Sequence, residues 1–225
     1  MSDFAPAALS VPRLATCQPD HCFCEAQQAG WPRQPANALS SLTFLLVAAA
    51  VWRRGRFAAD RVFVLAALFV GLGSLAFHAT LTFATQTADV LGMYLVVTWL
   101  LLWIVADRRG WSGRTVAGGY ALGNALLLAG LIAWPTMRRE VFAGLVLATV
   151  SLASPPQRRA LLPALAVFAV SFGVWTLDLL RWWCTPDSLI QGHALWHLGS
   201  AIAMWLAWSA LTTSAQRNRG ALVRN

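Results

Sequence analysis

"RVFVLAALFVGLGSLAFHATL", residues 61–81, decides how the chain is read. It carries one formal charge, Arg61 at its start, and is long and apolar enough to cross a bilayer as a helix, which takes about 20 residues. Near its end sit Ser74 and His78, and a short polar stretch, "TFATQT" at 82–87, leads on to Asp89. Polar and ionisable side chains at membrane depth are costly unless paired, and they mark functional sites.

The rest of the chain fits a membrane setting. Of its 225 residues 58% are hydrophobic and only 12% charged, against about 25% charged in a soluble domain. Further spans are expected near 37–52, 88–106, 115–134, 139–153, 160–180 and 193–213, that at 139–153 being short. Basic breaks separate them, such as "RRGR" at 53–56, "DRRG" at 107–110 and "SPPQRR" at 154–159. With no internal repeat, the expected fold is an all-α membrane protein, a seven-transmembrane helix bundle. Its expected parts are an outer-side tail at 1–36, the helical domain at 37–213 and an inner tail at 214–225. Residues 1–36 lack a long apolar run preceded by basic residues, so no cleavable signal peptide is expected.

Every one of the 17 basic residues is Arg, and the formal charge is +8. The arginines fall in short groups between apolar runs, so they report membrane topology rather than nucleic-acid binding. Cytoplasmic loops are enriched in positive charge. With the N-terminus outside, 12 arginines fall on the inner side and 5 on the outer, so N-outside and C-inside is the expected orientation. Arg138 and Arg139 are a local violation, partly offset by Glu140. Cys17, Cys22, Cys24 and Cys184 then all lie on the outer side, where disulfides are permitted. A Cys24–Cys184 bridge would pin the tail over the bundle. Free or locally paired cysteines are the alternative, since connectivity does not follow from sequence.

Ser74 and His78 are four residues apart and share a helical face, as do His193 and His197 in "HALWH". In the expected topology Ser74, His78, Asp89, His193 and His197 arrive from three helices at one depth on the outer side. Three histidines with an open fourth position suit catalytic zinc. Asp89 could exchange a proton with the attacking water or orient a ligand imidazole. Ser74 could stabilise an oxyanion. Interhelical hydrogen bonding, a haem site and a proton relay are the other readings of these residues.

The pattern resembles the alkaline ceramidase family, within a superfamily that includes adiponectin-type receptors and lipid-remodelling hydrolases. The resemblance rests on S-x-x-x-H, an Asp eleven residues after that His, and a late H-x-x-x-H. It is joined by "FCEAQQAGWPRQPANALSSLTFLL" at 23–46 and "WTLDLLRWWC" at 175–184. It implies that His78, His193 and His197 hold zinc, with Asp89 assisting water and Ser74 stabilising the oxyanion. The implied reaction cleaves the N-acyl bond of a ceramide-like lipid to a fatty acid and a sphingoid base. Another amide or ester lipid substrate, or a receptor or transporter with structural zinc, are the alternatives.

The family also binds calcium in its tail, which would fall to Asp20, Glu25 and Asn37. Here the family's Glu of E-P-x-N is Gln34 and its later Asn is Ser41, which weakens a site for a hard, carboxylate-seeking cation. The other role for Glu25 and Asn37 is to cap helix one and tie the tail to it. Asp178 and Arg181 are expected to form a structural pair, Trp52, Trp134, Trp182 and Trp183 to sit at interfaces, and Pro163 to lie near the start of helix six. In a bacterial host the membrane would be the inner one, with the site facing the periplasm.

Overall fold

The computed structural model describes residues 14–18, 22–55 and 57–222. Among these the chain is helical, without a strand; one isolated antiparallel bridge joins Leu14 to Thr82. Seven helices follow in order: α1 (Pro35–Arg54, with a turn at Ser41), α2 (Ala58–Thr80), α3 (Phe83–Arg109), α4 (Gly113–Ala133), α5 (Arg138–Leu152), α6 (Pro155–Leu179) and α7 (Gly192–Leu222). In hydrocarbon every backbone polar group must be satisfied internally, so a chain this apolar crosses as helices.

Six of the seven are long and apolar enough to span a membrane. The exception is α5, whose 15 residues rise only about 22 Å, short of a hydrocarbon core about 30 Å thick. Seven spans were expected, and by length and composition six are found.

Two helix starts differ from the sequence reading. The stretch "TFATQT" is not a polar turn: Thr82 caps α3 by accepting from the Thr85 N–H, and the helix runs from Phe83. Asp89 therefore sits in the second turn of α3 rather than at its mouth. α6 begins at Pro155, with Ser154 and Gln157 forming a capping box. That places Pro163 inside α6 and not near its start.

The tail lies across one end of the bundle. Ala15 N–H donates to Leu81 O at 3.2 Å, Gln34 N–H to His78 O at 2.9 Å, and Ala26 N–H to Pro186 O at 3.0 Å. The α2–α3 turn and the α6–α7 loop thus meet beneath it. Cys24 is bonded to Cys184 and Cys17 to Cys22, with Cα separations of 5.3 and 5.4 Å. A central core of Phe44, Phe63, Val70, Trp99, Met204 and Trp208 joins α1, α2, α3 and α7. At its far end buried Asp60 accepts from Trp208 Nε1 at 2.8 Å. The tryptophans read as interfacial, Trp52, Trp134, Trp182 and Trp183, are all exposed.

Candidate metal centre

His78 ends α2, while His193 and His197 open α7 one turn apart, so the last turn of one helix faces the first two of another. Close approach requires glycine at two points. A side chain at Gly73 would meet the α3 backbone at Ala88 and Asp89, 3.0 Å away. One at Gly192 would meet Asp178 Cβ at 2.6 Å. The three imidazoles are buried, with ring centroids 4.6–5.1 Å apart. One ring nitrogen or other ligand atom from each lies within 4.8 Å of the others, and this is the group among the described residues that could hold a metal ion. Phe23, from the tail, covers the cluster edge-on, its ring 4.5 Å from that of His193 and 5.0 Å from that of His78.

Hydrogen bonding settles two of the tautomers. Gln34 Nε2 donates to the Glu25 carbonyl at 3.1 Å, which turns Gln34 Oε1 towards His78 Nδ1 at 2.8 Å. An amide oxygen only accepts, so His78 carries its proton on Nδ1 and keeps a lone pair on Nε2. That Nε2 is buried and has no partner. His197 Nδ1 lies 3.2 Å from the Asn37 carbonyl and 2.8 Å from Ser40 Oγ. The carbonyl again fixes the proton on Nδ1 and leaves Nε2 a lone pair, 3.3 Å from Ser74 Oγ. His193 Nδ1 is buried without a partner. Orphaned buried nitrogens are rare, and two of these three clustered rings carry one. Outer partners that fix the ring orientation are the usual companions of metal-ligating histidines, so these residues fit a zinc ion.

Ser74 and Asp89 join this group. Both line, with His193 and His197, a cavity of about 160 Å³ whose walls are otherwise mostly apolar. Asp89 is within hydrogen-bonding reach of Ser74, and Ser41 Oγ lies 3.0 Å from Ser74 Oγ. The cavity runs down α7 to Ala207, ten residues and about 15 Å beyond His197.

The tail residues do something else. Glu25 is buried, and its two carboxylate oxygens accept from the N–H groups of Ala36 and Asn37 at 2.7 and 2.9 Å. It thereby satisfies the free N-terminus of α1. Burial pushes its carboxyl up from the ordinary range, and the two N–H bonds oppose that. Of the two roles left open for the tail, calcium binding or capping, Glu25 has the capping one, while Gln34 is neutral and its amide is spent on His78 and Glu25. No second cluster of three or more His, Cys, Asp or Glu forms there. Asn37 has an unpartnered side-chain amide, far short of the several oxygens calcium takes. Asp20 lies outside the described residues.

Five residues around the histidines were missed as parts of this site: Gln34, Ser40, Ser41, Phe23 and Asp178. Asp178 accepts from Cys24 N–H at 3.0 Å and from His193 N–H at 3.2 Å, so it caps α7 and ties the tail to it, beyond any pairing with Arg181. A buried carboxylate in an apolar helix was the available signal, but its partners are 154 and 15 residues away in sequence.

Fold and site together define a multi-pass helical membrane protein with a buried three-histidine centre able to hold a metal. The chain belongs to the ceramidase family, which it matches over residues 23–222. Compared with curated proteins, it has no significant match.

Proposed function

We propose that this protein is a zinc-dependent hydrolase that cleaves the N-acyl amide bond of a ceramide-like lipid. The observation that carries the reading is the convergence of three buried imidazoles with a carboxylate and a hydroxyl beside one apolar cavity. Family membership implies amide hydrolysis of ceramide; the site supplies groups for it. His78, His193 and His197 would hold zinc, which supplies Lewis-acid chemistry, polarising an amide carbonyl and acidifying water.

The chain's own residues supply the rest. Asp89 takes a proton from the attacking water and returns it to the departing amine nitrogen as the C–N bond breaks. Ser74 Oγ donates to the oxygen that gains charge as the carbonyl carbon becomes tetrahedral. Gln34, Ser40 and the Asn37 carbonyl keep two imidazoles in the ligating tautomer. The apolar walls hold the acyl chain, so a lipid need not leave the bilayer's interior for its amide to reach the histidines.

We also assign the tail end to the outer side of the membrane. The arginine count supports this, and so do two disulfides gathered at that end, since such bonds persist in oxidising compartments. In a bacterium the site would then face the periplasm.

The test is turnover of a fluorescent N-acyl sphingoid lipid by purified protein. Wild type releases fatty acid. Asp89→Asn loses about 10²–10⁴-fold in kcat, the range for positioned acid–base groups, while keeping its metal. Wild type that holds zinc but cleaves no N-acyl lipid would overturn the reading.

A further inference from the structure

Gln34 stands where the family places a carboxylate, yet it is fully buried and uses every polar group it has. Its backbone N–H donates to His78 O at 2.9 Å, its Oε1 accepts from His78 Nδ1 at 2.8 Å, and its Nε2 donates to Glu25 O at 3.1 Å. One residue thus grips a histidine of the centre by both backbone and ring, and fastens it to the tail. A carboxylate in its place could still accept from the His78 N–H. It could not donate to the Glu25 carbonyl, so two acceptors would face each other, an arrangement that needs a cation between them.

The surroundings disfavour such a cation. Glu25 spends its carboxylate on the α1 N-terminus.

We propose that Gln34 is the positioning residue of the metal centre, and that its amide holds the tail on the site without calcium. This rests on the zinc reading above. Residues acting on a metal ligand from outside typically change metal affinity 10–100-fold when replaced.

The experiment measures Zn2+ affinity of the full chain in detergent by competition with a chromogenic chelator. It is run in calcium-depleted buffer and after addition of calcium chloride, with a melting curve for each sample. Wild type gives the same zinc affinity and melting temperature in both. Gln34→Leu binds zinc about 10–100-fold more weakly in both. Gln34→Glu keeps the bond to His78 but loses the donor to the Glu25 carbonyl, so it melts below wild type in both buffers. This variant carries the test if Gln34→Leu does not fold. Wild type strengthened by calcium, Gln34→Leu with unchanged zinc affinity, or Gln34→Glu melting together with wild type would each overturn the proposal. Wild type that holds no zinc at all would instead sink the metal reading on which it rests.

Discussion

Helices α2 and α4 look alike in composition and end up in opposite situations. Both are apolar enough to span a membrane, but 61% of the apolar stretch of α2 is buried inside the protein against 11% of that of α4. Lipid tails are as apolar as leucine, so hydrophobicity does not pull one helix to the centre and leave the other outside. Polar side chains and close packing do. α2 carries Ser74 and His78, and it packs against α1, α3 and the tail. α4 buries one polar residue, Asn124, and spends it on one neighbouring helix and its own backbone: Asn124 Nδ2 donates to Thr98 Oγ1 on α3 and to Tyr120 O, both at 2.9 Å. One helix exports its polar groups to a shared site; the other hides its own.

That contrast can be broken by substitution. Ser74→Ala on α2 removes a donor to the developing oxyanion and is expected to lower kcat about 10²–10³-fold, with zinc content unchanged. Steady-state turnover beside metal analysis checks this; full activity would return Ser74 to a packing role. Next comes the bridge that binds the tail to the α6–α7 loop. Cys24 and Cys184 are 160 residues apart, and losing a native disulfide costs about 2–5 kcal/mol. Cys184→Ser should therefore melt well below wild type under non-reducing conditions, and reductant should bring wild type down to meet it. The smallest effect is expected on α4. Asn124→Leu should change stability by about 1 kcal/mol or less, since polar contacts between membrane helices average about 0.6 kcal/mol, and should leave turnover alone. A large loss of activity there would show that α4 belongs to the working part of the molecule.

The part of this site that was legible in sequence is the part with local spacing in an apolar background. His193 and His197, or Ser74 and His78, announce themselves because four residues make one turn and nothing nearby is polar. Asp89 was visible for the same reason, although the helix that holds it starts earlier than its polar flank suggested. The outer partners were not legible. Gln34 reached His78 across 44 residues and Ser40 reached His197 across 157, distances set by how the tail folds back rather than by any pattern along it. Gln34 even read as a loss, because comparison with a carboxylate says what is missing and not what an amide can do by donating as well as accepting. α5 falls below the length of the other six, yet it starts beside the tail at Arg138 and ends beside Arg108 at the opposite end of the bundle.

The most direct test of the account is metal content by mass spectrometry on detergent-purified protein, prepared without chelators, with wild type beside His197→Ala. The account predicts about one zinc per wild-type chain, with little or none in the variant. A well-folded wild type without zinc would contradict it, and the buried cluster of His78, His193 and His197 would then need another explanation.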